Sequence, residues 1–324
     1  MPCNHPLTAF LTGSKTDKGN DDYVIGKEGD KAFRVDDAIK RGHVVCLENA
    51  PHALWQGYAY LTDPTPIPCG HCVGCRMDRS KEWKVRCCLE SLSWKNSWFV
   101  TLTYDDRHLP CDINGVPVLV KKDIQDFLKR IRYYAKGKLR FFACGEYGEI
   151  GKRPHYHLIL FCDVLNATCR YEDGQILWSC KELNDAWKFG LTDIRPADPG
   201  SMAYVCGYVE KKQSNPDYPG YPVKPFILMS RRPGLGLDQL KRFSLLKTGK
   251  VYGDFGGIRS ASAPRLFLNK VRDDPLFDDL KALRVFAGKA ANAANVAYFD
   301  KTDFGCDLDD LKNEQLQQKR IAKL

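Results

Sequence analysis

The chain has 324 residues, enough for one large domain or two modest ones, and its 44% hydrophobic content is ordinary for a globular protein with a sizeable core. Its formal net charge is +9, from 49 Lys+Arg against 40 Asp+Glu, which permits a polyanionic partner without demanding one. No apolar run approaches the roughly 18 residues of a membrane span, and the opening MPCNHPLTAFLTGSK lacks the features of a secretory signal, so the expectation is a soluble intracellular protein with no membrane partner.

Residues 1–68 show no clear periodicity, with Gly, Asp and Pro scattered through them, and read as an irregular N-terminal extension ending in the connection TDPTPIPCG. Segment 69–97 opens on Cys69, Cys72 and Cys75. Thiolates at C-x2-C-x2-C spacing can wrap one ion, and a structural Zn²⁺ would need a fourth ligand, with His71, Cys46, Cys87 and Cys88 as candidates. Three buried thiols in a turn is the competing reading. The fourth Cys followed by Pro that usually marks an iron–sulfur site is absent. A charged helix over about 76–94 follows.

WFVTLTY (98–104) is β-branched and aromatic, hence a strand. Ile124, Phe127, Leu128 and Ile131 recur at helical spacing over 121–136, with Lys and Arg between them. Strands are predicted at 139–148 and 155–162, a helix with a Ser start and Gly stop at 179–190, a strand at 191–196 and a helix at 201–213. The order β-α-β-β-α-β is the split βαβ pattern of an α+β fold, a mostly antiparallel sheet covered by helices on one face and open on the other to an extended ligand. Residues 98–213 thus form the central domain, and 214–324, rich in Pro, Gly and basic residues, a C-terminal extension without a legible architecture.

His155 and His157 flank Tyr156 within RPHYHLILF. Residues two apart on a strand share a face, so both imidazoles project together and can hold one metal ion. Glu146, across a hairpin on the preceding strand, is the expected third ligand, with Glu149 as a substitute. Tyr204 and Tyr208, four apart in a helical pattern, stack one turn apart, and Lys211 falls nearly between them with Lys212 at the edge of the stripe. A phenol attacking a phosphodiester yields a covalent phosphotyrosine, and two phenols allow two successive transfers. The competing reading of each pair is structural: hydrogen-bonded histidines and a packed aromatic stripe. Phosphate contacts are expected from Lys121, Lys122, Lys129, Arg130, Arg132, Arg231 and Arg232.

HYH, YVCGYVEKK and WFVTLTY together resemble the HUH endonuclease superfamily of rolling-circle initiators. PCGHCVGCRMDRSKEW, GEYGEIGKRPHYHLILF and SRRPGLG narrow the resemblance to replication initiation proteins of Microviridae, gokushovirus-type phages of single-stranded DNA, over about Cys69 to Gly236. The resemblance implies a ferredoxin-like or RRM-like nuclease domain, Mg²⁺ or Mn²⁺ at His155 and His157, and Tyr204 and Tyr208 as alternating nucleophiles with Lys211 or Lys212 assisting. It further implies nicking and rejoining of origin DNA through a 5′-phosphotyrosine, host helicase and polymerase as partners, and the host bacterial cytoplasm as location. A non-catalytic origin-binding module and a plasmid or transposon nuclease on the same scaffold are the alternatives.

Overall fold

The structure is a computed structural model. It describes residues 3, 5–17, 19–27, 29–136, 138–148, 151–212, 223–243, 249–280, 282, 283 and 286, except for the side chains of 209–212. Two compact units divide the chain: residues 1–76 with 283–324, and residues 77–282. Among the described residues no helix is long and apolar enough to cross a membrane.

The first unit corrects the expectation that 1–68 is irregular. It contains β1 (Leu7–Lys15), β2 (Asp21–Gly26), β3 (Phe33–Arg34), α1 (Val35–Lys40), β4 (His52–Trp55), β5 (Tyr58–Leu61) and β6 (Thr65–Ile67). These make two antiparallel sheets, ordered β2-β1-β6 and β3-β5-β4, around Phe10, Val24, Phe33, Ala38 and Leu61. Four of the six strands have only two to four residues, too short to display a period.

The second unit holds most of α2 (Val73–Ser91), then β7 (Ser97–Tyr104), α3 (Lys121–Tyr134), β8 (Arg140–Tyr147), β9 (Pro154–Phe161), β10 (Thr168–Glu172), β11 (Gln175–Ser179), α4 (Lys181–Ala186), β12 (Gly190–Pro196), α5 (Pro199–Lys212) and β13 (Phe226–Met229). Strands β14 (Lys250–Tyr252) and β15 (Ser260–Ser262) and helix α6 (Arg265–Lys270) follow. Its main sheet is antiparallel throughout, in the order β12-β7-β9-β8-β13, and the class is α+β.

To the expected elements the structure adds β13 at the sheet edge and the β10–β11 hairpin. The hairpin turns at Asp173–Gly174, both with positive φ, the conformation a two-residue hairpin loop requires. The helix predicted to run to Gly190 stops at Ala186, because Trp187 turns into the core and donates its indole N–H to the Thr103 carbonyl at 3.1 Å.

The sheet has two covered faces, which corrects the expectation of an open one. Trp98, Val100, Leu102, Phe141, Ala143, Tyr156, Leu158 and Leu160 pack with Ile124, Phe127, Leu128 and Ile131 of α3 and Leu183 of α4. Phe99, Phe142, Cys144, Ile159 and Phe161 pack with Val85 and Leu89 of α2, Val205 and Cys206 of α5 and Phe267 of α6. Period-2 alternation divides each strand between these cores. Being buried on both sides, β8 and β9 are apolar almost throughout.

The segment SRRPGLG is fastened to this second core. Buried Glu90 of α2 accepts from Arg140 at 2.7 Å, from the Trp94 indole at 3.0 Å and from the Gly236 amide at 2.7 Å. Gly236 has φ +75°, and a Cβ there would meet the Arg86 carbonyl at 2.9 Å, so glycine is required twice over.

Candidate active site

The site is built on the α5 side of β7, β8 and β9. The β8–β9 register sets Glu146 opposite His155 and Cys144 opposite His157, while the β7–β9 register sets Thr101 opposite His157. Alternation sends Glu146, His155, His157, Thr101 and Phe99 to one face, and Tyr156 to the other. The Glu146 carboxylate is only 3% exposed. Its Oε1 lies 3.0 Å from His155 Nε2 and 3.1 Å from His157 Nε2. The other ring nitrogens are held from behind: His155 Nδ1 by the Arg153 carbonyl at 3.1 Å, and His157 Nδ1 by Thr101 Oγ1 at 3.1 Å.

This donor set fits a divalent ion. One oxygen and two imidazole nitrogens gather within 4.8 Å of one another. Atoms bound to one octahedral ion at about 2.1 Å sit about 3.0 Å apart, which is the spacing of both imidazoles from the carboxylate oxygen. The Arg153 carbonyl can only accept, so it sets the His155 tautomer that leaves Nε2 able to ligate. Glu149 lies outside the described residues.

Helix α5 brings the phenols to this face. It starts on a reciprocal cap: Asp198 accepts from the Ser201 amide at 2.6 Å and from the Ser201 hydroxyl, and its own amide donates to Ser201 Oγ at 3.0 Å. Pro199 then occupies the first helical position, where no amide is needed. The ring of His157 lies 5.2 Å from that of Tyr204 and 5.8 Å from that of Tyr208, centroid to centroid.

The two tyrosines differ sharply in access. Tyr204 is 49% exposed and Tyr208 only 8%. The Tyr208 hydroxyl donates to the Tyr204 oxygen at 2.6 Å and also contacts the Glu146 carboxylate. Burial, and then the adjacent carboxylate, hold the Tyr208 phenol well above the usual tyrosine range, so it persists as a donor. Lys211 and Lys212 belong to the last turn of α5, with side chains outside the described residues.

Sequence reasoning missed three neighbours. Thr101 braces His157, Phe99 stacks on it at 5.5 Å, and the Arg195 guanidinium sits 5.1 Å above the Phe99 ring. The alternation of WFVTLTY already places Phe99 and Thr101 on one face, but only the register shows which face that is.

The cations expected to touch phosphate do not gather at this site. Helix α3 packs on the opposite face of the sheet. Lys122 and Lys129 both pair with Asp126, and Arg130 donates to the Ala186 carbonyl at 2.6 Å. Lys121 is exposed on the same helix. Arg132, Arg231 and Arg232 instead converge, with Lys138, Arg140 and Trp94, on a cavity of about 760 Å³ at the start of β8. Six steps along the strand take Arg140 to Glu146, roughly 20 Å.

Fold and site together define an α+β protein whose antiparallel sheet presents a two-histidine, one-carboxylate donor set against a pair of helical tyrosines. Residues 97–213, the stretch that carries the whole constellation, match the family model for Replication-associated protein ORF2/G2P. The chain is 37% identical over 211 residues to Replication-associated protein ORF2 of Spiroplasma virus 4, covering 62% of this chain and 66% of that protein. It is 32% identical to Replication-associated protein ORF4 of Chlamydia phage 1, covering 45% of this chain and 38% of the relative. To Replication-associated protein VP4 of Bdellovibrio phage phiMH2K it is 28% identical, covering 55% and 58%. The matched part thus spans less than two thirds of each relative. No solved structure matches the chain significantly. These similarities support a Microviridae-type replication-associated protein.

Proposed function

We propose that this chain starts rolling-circle replication of a phage genome as an HUH-type enzyme that nicks and rejoins single-stranded origin DNA through a phosphotyrosine intermediate. The observation that carries this reading is the convergence, on one sheet face, of Glu146, His155 and His157 with the Tyr204–Tyr208 pair. Tyr204, the accessible phenol, is the first nucleophile. Its oxygen forms a bond to phosphorus as the P–O3′ bond breaks; the phenolic proton passes to solvent, and the departing O3′ takes one up from water. The Tyr208 hydroxyl donates to the Tyr204 oxygen and so helps to orient it beside the donor set. Tyr208, buried beside Glu146, is held for the second transfer, which regenerates the strand without ATP because the phosphoester bond is exchanged and not hydrolysed. Glu146, His155 and His157 would hold the Mg²⁺ or Mn²⁺, which when bound supplies Lewis-acid polarisation of the phosphate.

The test is a protein–DNA adduct that survives denaturation when the protein meets single-stranded origin DNA with Mn²⁺, and that a chelator prevents. Tyr204→Phe removes the first adduct and Tyr204→Phe/Tyr208→Phe removes all of it; an undiminished adduct in the double variant ends the proposal.

The cavity of Arg132, Arg231 and Arg232 is the part of the expected basic set that supports a DNA track, with Trp94 available to stack on a base. Replacing Arg231 and Arg232 by Ala weakens binding and lowers the salt slope by about 1 to 2. An unchanged slope removes the cavity from the DNA path. Helicase and polymerase of the host complete the reading as partners, and the bacterial cytoplasm as its place. A pull-down of both from infected cells with the intact chain tests the first. Fractionation of those cells tests the second.

A further inference from the structure

The cysteine cluster of the N-terminal unit stands apart from the nicking chemistry, and its geometry completes itself in a way the motif alone does not show. Strands β1 and β6 pair antiparallel with Leu7 opposite Ile67. That pairing carries the residues before β1 and those after β6 to the same sheet end, so Cys3 arrives beside Cys69. The four sulfurs of Cys3, Cys69, Cys72 and Cys75 all lie within 4.8 Å of one another. Cys3 Sγ is 3.7 Å from Cys72 Sγ, and Cys69 Sγ is 4.0 Å from Cys75 Sγ. A disulfide needs about 2.05 Å. Four thiolates around one ion at about 2.3 Å form a tetrahedron with edges of about 3.8 Å, and the two sulfur–sulfur distances straddle that value.

Backbone amides are directed at the sulfurs. Amides donate to Sγ from Cys69 to Cys3 at 3.3 Å, from His71 to Cys69 at 3.5 Å and from Cys72 to Cys69 at 3.4 Å. Gly70, at φ +82°, permits the tight turn between the first two cysteines of the motif. Cys72 and Cys75 are buried and Cys3 and Cys69 half-buried, as in a closed structural site with no position left for water.

The fourth-ligand candidates named from the sequence are all elsewhere engaged or exposed. Cys87 lies 3.8 Å from Cys206 in the core of the second unit, Cys88 is buried in the same core, Cys46 accepts from Asn49, and His71 is exposed.

We infer that Cys3, Cys69, Cys72 and Cys75 bind one structural Zn²⁺ that pins residue 3 to the first turn of α2. The site is independent of the Glu146–His155–His157 donor set, and its failure would leave that reading intact.

The experiment uses the full chain, purified under reducing conditions without chelator from zinc-containing medium. Elemental analysis is expected to return about one zinc per chain, retained in His155→Ala and His157→Ala. Cobalt exchanged into the wild type is expected to show thiolate-to-cobalt charge transfer and the intense visible bands of a tetrahedral site. Cys3→Ser and Cys72→Ser lose both, whereas Cys111→Ser, an exposed cysteine outside the cluster, keeps them. Should the Cys3 variant not fold, titrating wild-type protein with a mercurial answers the same question, since zinc release should track modification of about four thiols. Folded protein free of zinc with four freely reactive thiols overturns the proposal. So does a protein carrying iron, with the broad visible absorption of an iron–sulfur cluster.

Discussion

On one side of β9, Tyr156 enters a buried core and finds hydrogen-bond partners within the protein. Its hydroxyl donates to the Val120 carbonyl at 2.8 Å, accepts from the Val120 amide at 3.1 Å and lies 2.7 Å from the Tyr104 hydroxyl, which donates to Asp123. On the other side, His155 and His157, its immediate neighbours in the chain, face a buried carboxylate and a half-exposed phenol. The two faces use the same residue classes, aromatic, hydroxyl and carboxylate, to opposite ends. In the first, the polar groups close on the backbone and on one another, which fixes α3 to the sheet. In the second, two imidazole nitrogens and a carboxylate oxygen gather within 4.8 Å of one another, an arrangement that suits a cation.

The comparison is sharpened first by Thr101→Val, which preserves shape but removes the brace on His157 Nδ1. Thr101 acts through His157, so the expected outcome is 10- to 100-fold weaker metal binding, read through adduct formation. The Mn²⁺ concentration needed for half-maximal adduct should rise while thermal stability stays nearly constant. A change in stability without that shift would make Thr101 merely structural.

Tyr156→Phe probes the other face. Deleting one hydroxyl leaves the Val120 groups and Tyr104 short of a partner, at an expected cost of about 1–3 kcal/mol in denaturant unfolding. At temperatures where the variant is folded, its adduct yield should match the wild type. Lost activity in a folded Tyr156→Phe protein would mean that the two faces are coupled.

The smallest expected effect is at the start of α5. Asp198→Asn retains a capping oxygen but removes the charge, and Asp198→Ala removes both, with about 1 kcal/mol expected for the latter. Hydrogen bonds from the Ser201 hydroxyl and amide hold the Asp198 carboxyl below its ordinary value. Its charged form therefore contributes fully above the unfolded value of about 3.9 and loses that contribution as pH falls through the lower folded value. The stability gap between wild type and Asp198→Asn should close at acid pH; a gap that widens there would reverse the assignment.

Much of the site could be read from local pattern. Two histidines at strand spacing, a carboxylate across a short turn and two tyrosines at helical spacing are consequences of backbone period, and period is a property of the sequence. The α+β class and the antiparallel sheet follow from the same alternation. What alternation does not contain is sidedness. Lys121, Lys122, Lys129 and Arg130 lie on a basic helix, yet that helix packs on the face of the sheet opposite Glu146, His155 and His157. The face expected to be open is covered by α2, α5 and α6, because chain from both ends of the central domain returns to it.

The sequence by itself therefore determined which side chains share a strand face or a helix stripe, since those spacings are set by 2.0 and 3.6 residues per repeat. Only the tertiary structure decided which of the two faces met α5, that Tyr204 is accessible while Tyr208 is buried, and that Cys3 joins cysteines 66 or more positions away. Each of these depends on strand register and on packing between segments remote in the chain, and no local period records either.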